Sequence, residues 1–119
     1  MYKDSKSVVS TLCYGVQWDA ALQFISTRGI KDTAYATNST DKGNYTGSLE
    51  KTGYYARNNI YDMAGNVFEW TMEAYDSVHR VLRGGDYING SGCPASYRLD
   101  YNPDDALDYF GFRPALYVK

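Results

Sequence analysis

The side chains able to move protons, attack electrophiles or grip soft metals are few in this 119-residue sequence: one histidine, His79, two cysteines, Cys13 and Cys93, and two adjacent carboxylates, Asp104 and Asp105. A zinc site needs several closely spaced Cys or His ligands, and one histidine without a CxxC pair cannot supply them. Two cysteines are too few for a disulfide framework, and both are read as free thiols. Adjacent carboxylates work as acid and base only when their surroundings set their proton affinities apart. In a polar loop Asp104 and Asp105 are read as solvated. No specific Ser/His/Asp set can be assembled around His79.

Composition points instead to contact surface. The sequence holds 13 tyrosines, and four of them, Tyr87, Tyr97, Tyr101 and Tyr109, fall between residues 86 and 110. Tyrosine supplies rigid amphipathic contact area at low entropic cost; the other nine are read as half-buried sheet positions. The net charge is −2 with no run of Lys and Arg, so no nucleic-acid footprint is present. The longest apolar stretches are too short to span a bilayer, so no membrane insertion is expected. Met1 to Lys6 is not followed by an apolar segment, and no signal peptide is expected in this chain.

These side chains need a frame. The length fits one domain over residues 1–119, with the option left open that it is the C-terminal part of a longer protein. Trp18, Ala21, Leu22 and Ile25 recur at helical spacing, predicting a helix over Val16–Arg28 ended by Gly29. A first strand is expected around Val8-Val9. Residues 31–58 read as a long ordered loop. Asp62 and Gly65-Asn66 read as turn residues, followed by strands over Val67–Thr71 and Val78–Arg83, the latter stopped by Gly84-Gly85. Residues 85–111 read as loop more than strand. A final strand is expected over Gly111–Val118, with Phe112, Leu116 and Val118 on one face.

Three blocks in this frame carry a resemblance. Tyr61-Asp-Met-Ala-Gly-Asn-Val-Phe-Glu-Trp-Thr71 resembles the signature of the formylglycine-generating (sulfatase-modifying) enzyme family. Arg80-Val-Leu-Arg-Gly-Gly85 and Gly111-Phe-Arg113 are similar to its later blocks, in the same order. The resemblance implies an α+β domain of the C-type-lectin kind, with little regular secondary structure and long ordered loops. It also implies a test of activity. The copper-dependent enzyme holds Cu(I) on two cysteines just after the Gly-Gly block, and here the matching positions are Asn89 and Pro94. Neither offers a thiolate, so no catalytic residue and no resident cofactor are expected. The alternatives are a copper-dependent oxidase using Cys93 with a second thiol, and a calcium-stabilised structural module. For calcium the resemblance implies ligands from Asp62, Gly65, Val67 and Glu69, through two carboxylates and two backbone carbonyls. Against this, Asp62 could cap a turn and Glu69 could pair with Arg83 or Arg113.

The chain also resembles one branch of this fold, the variable proteins of diversity-generating retroelements, through Arg83-Gly-Gly85, Pro94-Ala-Ser96, Arg98, Asn102-Pro103 and Gly111–Tyr117. In that branch adenines of AAC or AAT codons are rewritten, which gives any residue except Lys, Glu, Gln, Met and Trp. Residues 1–85 contain 15 of these five types and residues 86–118 contain none, where about six would be expected at the upstream frequency. The resemblance implies a variable ligand-binding region over 86–110. Its contact residues would be Asp86, Tyr87, Ile88, Asn89, Cys93, Tyr97, Leu99, Asp100, Tyr101, Asp108, Tyr109 and Phe110. They mix aromatic anchors with short polar groups, as binding faces do; the other reading is that some fill the core, evenly balanced for Ile88 and Leu99. Arg83, Arg98 and Arg113 are assigned to the scaffold, where guanidinium groups can satisfy several loop carbonyls. The partner implied is a protein or glycan on another cell, met from a phage tail or a bacterial surface.

Overall fold

The computed structural model describes residues 7–39 and 41–118; residues 1–6, which carry the reading of the N-terminus, lie outside them. The expected helix is α1, Gly15–Thr27, with Trp18, Leu22 and Ile25 buried along one stripe. The Gln17 side chain accepts the Tyr14 N–H at 2.8 Å, half of a capping box. Gly29 follows the C-cap at φ +55°, where a side chain would be strained.

The strands are β1 (Val8–Leu12), β2 (Ala56–Arg57), β3 (Ile60–Tyr61), β4 (Phe68–Ala74), β5 (Arg80–Arg83), β6 (Arg98–Tyr101), β7 (Phe110–Phe112) and β8 (Pro114–Val118). The main sheet has the order β6-β5-β4-β7, antiparallel except that β7 runs parallel to β4. β1 and β8 form an antiparallel ribbon, from Val8 opposite Val118 to Leu12 opposite Pro114. The Met72 N–H donates to the Cys13 carbonyl at 2.9 Å and ties this ribbon to β4. The chain is therefore an α+β domain with one helix and short strands, joined by long ordered loops.

Trp18, Leu22 and Ile25 pack with Tyr35, Met63, Ala64 and Ala95 as the core. The loop over 31–58 is held against it by side chains rather than ladders. The Asn44 amide donates to the Ser48 carbonyl and to Asn66 Oδ1, both at 2.8 Å. Asn66, at φ +65°, also exchanges two hydrogen bonds with the Glu50 backbone. Each such bond satisfies a polar group that no sheet reaches.

Three expectations change. Residues 98–101, read as irregular, form β6: alternation over only four residues is too short to show a period. The strand expected from Val78 begins at Arg80, because Asp76 Oδ1 accepts the N–H groups of Val78 and His79 and holds a turn there. The last strand is divided at Arg113 into β7 and β8, and Phe112, Leu116 and Val118 are exposed.

The two glycines after β5 explain the block that ends there. Gly85 has φ +78°, and a β-carbon on it would lie 2.0 Å from the Cys93 carbonyl oxygen. Gly85→Ala is expected to lower unfolding stability by at least about 2 kcal/mol, measured by urea denaturation.

Candidate functional site

Directly after Gly85 the chain makes a loop with its own internal cap. Asp86, 0% exposed, accepts the N–H groups of Ile88 at 3.2 Å and Asn89 at 2.8 Å. Its two carboxylate oxygens also accept the Asn89 side-chain amide, at 3.0 and 2.8 Å. This is the local side-chain turn that Asp favours, and it corrects the expectation that Asp86 meets a ligand. A 3-10 turn over Gly90–Gly92 follows. The loop is then pinned to the core: Tyr45 donates to the Cys93 carbonyl at 3.1 Å, Trp18 Nε1 to the Ala95 carbonyl at 2.9 Å, and the Ala95 N–H to Ser39 Oγ at 3.0 Å.

A rigid seat therefore carries the predicted residues. Asn89, Cys93, Tyr97, Leu99, Tyr101 and Tyr109 line one pocket of about 330 Å³. The one further lining residue is Phe68, buried on β4 and 6.0 Å from the Tyr97 ring. Phe68 lies upstream of the variable stretch, and nothing in the local pattern of residues 67–71 marks it as part of a site; pairing of β7 beside β4 puts it there. Phe110 stands behind the pocket, edge-on to Tyr101 at 5.0 Å, Tyr109 at 5.1 Å and Trp70 at 5.5 Å. It supports the wall. Larger depressions at Leu12, Trp70 and Met72 and at Glu50, Lys51 and Tyr54 contain none of the predicted residues.

Besides Asp86 and Phe110, four predicted residues stand outside the pocket. Tyr87 is half-buried and is used through its backbone, donating to the Asn66 carbonyl at 3.0 Å and accepting from Gly47 at 2.8 Å. Ile88 is 55% exposed, so it is not core, and it does not line the pocket. Asp108 is exposed beside Tyr109. Asp100 alternates with Leu99 and Tyr101 along β6 and so faces the other side. There, after Asp76, its charge adds to what raises the His79 pKa.

The arginines act as scaffold. Arg83 is buried and donates to Asp19 at 2.7 Å and to the Ser96 carbonyl at 3.3 Å. Arg98 pairs with Glu73. Arg113 grips both oxygens of Glu69 and donates to the Tyr61 and Asp62 carbonyls, at 3.2 and 2.9 Å.

That last arrangement decides how well calcium fits. Both Glu69 oxygens hold a guanidinium, and the Asp62 carboxylate accepts backbone N–H groups from Gly53 and Tyr55. Burial pushes the Glu69 carboxyl up while Arg113 holds it down. A cation here would have to displace another cation, so the set Asp62, Gly65, Val67 and Glu69 does not fit calcium. Among the described residues no three His, Cys, Asp or Glu side chains cluster as metal ligands.

The thiols are equally unsuited to Cu(I). Cys93 lines the pocket, whereas Cys13 is buried at the end of β1 and donates to the Tyr14 carbonyl. Burial, and then the Asp86 carboxylate, pushes the Cys93 thiol up. Burial also raises Cys13, against the pull of Arg113. Both effects disfavour the thiolate that copper needs.

A sulfatase-modifying factor enzyme 1-like domain matches residues 15–117. The chain belongs to that family. It is 40% identical over 65 residues to inactive C-alpha-formylglycine-generating enzyme 2 of Bos taurus, and 38% to the Mus musculus protein. These matches cover 47% of the chain and 22% and 21% of those proteins, so the chain spans about a fifth of their length. Among solved structures, Treponema denticola variable protein 1 superposes with a TM-score of 0.67 at 22% identity, over 88% of this chain and 46% of that one. CarF superposes at 0.67 and 21%, over 92% and 48%. PvdO from Pseudomonas aeruginosa superposes at 0.62 and 18%, over 88% and 51%. The family's C-type-lectin-like fold is thus the fold of this chain.

Two outcomes follow for the family's metals. Calcium and a chelator should leave the melting temperature unchanged, whereas Glu69→Ala, by stranding Arg113, should cost about 3 kcal/mol. Alkylation of Cys93 should be slower than that of a free thiol at neutral pH and should accelerate as pH rises past the ordinary thiol range, followed by mass spectrometry.

Proposed function

We propose that this chain is a non-catalytic ligand-binding domain whose binding face is rewritten by a diversity-generating retroelement. The observation that carries the reading is the pocket itself. Six residues drawn from positions 89–109, all of types that adenine-limited rewriting can produce, converge on one concavity over a buried scaffold ring. They reach it from a capped loop, a short strand and the turn before β7, while the core pins their backbones. Side chains can then be exchanged without loss of the fold, because each stands on backbone held by scaffold residues.

The likeness to Treponema denticola variable protein 1 supports the reading at the level of fold, and the inactive curated relatives support the absence of enzyme chemistry. Display at a phage tail or bacterial surface, and a protein or glycan partner on another cell, complete the proposal. The copper-oxidase reading is disfavoured by Asn89 and Pro94 in the metal positions and by the separation of Cys13 from Cys93.

Sequencing single clones tests the proposal. Codons 89, 93, 97, 99, 101 and 109 should vary between clones, while codons 59–86, Asp86 included, stay fixed. A near-copy of the segment and a reverse transcriptase gene should lie nearby. Variation spread evenly along the chain would overturn it.

A further inference from the structure

The pocket has a sign. None of its lining residues is basic. Arg98, the one arginine or lysine between residues 86 and 110, leaves β6 on the side opposite Leu99 and Tyr101 and pairs with Glu73. Beneath the pocket lies Asp86, fully buried, and its hydrogen-bond partners are all neutral N–H groups from Ile88 and Asn89. Among the described residues no cationic side chain pairs with it. A buried carboxylate without a counter-ion is costly and projects a negative potential into its surroundings.

Two neighbours register that potential. The Cys93 thiol is raised by burial and then by Asp86; Tyr109 is raised by burial, then by Tyr101, and then by Asp86 and Asp108. The hydrogen-bonding groups have a sign too. An amide has two N–H donors and one acceptor oxygen. Asn89 turns its N–H side to Asp86, so the Oδ1 acceptor is what remains for a ligand. Around it stand the rings of Tyr97, Tyr101 and Tyr109, whose faces attract cations. The volume, about 330 Å³, is at the small end for ligand sites and suits one side chain.

We propose that the pocket of this chain takes a cationic group, the lysine or arginine side chain of a protein partner, seated against Tyr97, Tyr101 and Tyr109 above the Asp86 carboxylate. The inference rests on the binding face proposed above and names the chemistry of its partner. The rings supply attraction and shape, Asn89 accepts an N–H, and the ligand's charge compensates the buried carboxylate.

Calorimetry with an oligolysine peptide, an oligoglutamate peptide and a chitooligosaccharide tests it. Oligolysine should bind, and its affinity should fall as salt rises. Tyr109→Ala should weaken it about fivefold to tenfold, and Asp108→Asn, next to Tyr109, about twofold. Asp41→Asn removes the same charge outside the pocket and should leave the affinity unchanged. If Tyr109→Ala fails to fold, the contrast between Asp108→Asn and Asp41→Asn still decides. The proposal is overturned if oligolysine does not bind, if the sugar or oligoglutamate binds more tightly, or if Asp41→Asn weakens binding as much as Asp108→Asn. Variable codons in clones that bind no oligolysine would overturn the charge of the site and leave the diversified face standing.

Discussion

Trp18 is the interaction on which the rest depends. Its ring is buried, its indole N–H donates to the Ala95 carbonyl, and two guanidinium groups lie over it, Arg113 at 5.1 Å and Arg83 at 5.9 Å. Through Arg113 the ring is tied to β4 at Glu69 and to the turn at Tyr61 and Asp62. Through Arg83 it is tied to β5, to Asp19 on the helix and to the Ser96 carbonyl. Gly84 belongs to the same contact, since a β-carbon there would lie 2.9 Å from the indole. Desolvated cation–π contacts contribute about 2 kcal/mol each, so one aromatic ring and two arginines join the helix, the sheet and two loops.

A fold so held needs few ladders. Much of the chain between α1 and β4 has no sheet partner, and its backbone groups are met by Asn44, Asn58, Asn66 and Asp62. Three of these, Asn58, Asp62 and Asn66, sit at positive φ, where short polar side chains are tolerated. Loop order in this domain therefore comes from scattered side chains at fixed positions. Beyond Gly85 the residues that hold other parts of the chain include Tyr87, Cys93, Ala95 and Ser96, which do so through their backbone, and Arg113, which does so through its side chain.

This division of labour also shows which parts of the site could be read in advance. The helix was legible because burial on one face repeats at 3.6 residues, and the two sheet strands before Gly84 because turn residues bound them. Leu99 and Tyr101 were not legible as neighbours on β6, since four residues show no period. Asp86 was misread because its residue type is one that the proposed rewriting could produce; only its burial and its bonds to Asn89 make it scaffold. Phe68 was missed because a buried aromatic on a strand looks like core from its own neighbours, and it is core on all sides but one.

The amino-acid sequence by itself determined the family, through three ordered blocks whose glycines and arginines are required by close backbone approaches, and it puts Asn89 and Pro94, which carry no thiol, where the resemblance places the family's copper cysteines. It also leaves residues 86–118 without Lys, Glu, Gln, Met or Trp. Only the tertiary structure decided which of those residues face one another. Side-chain direction in a loop depends on what pins the backbone, and here the pins are Trp18, Tyr45 and Ser39, all distant in sequence. For the same reason only the structure could pair Glu69 with Arg113 and leave Asp86 without a counter-ion among the described residues: both are long-range electrostatic facts that no local pattern records.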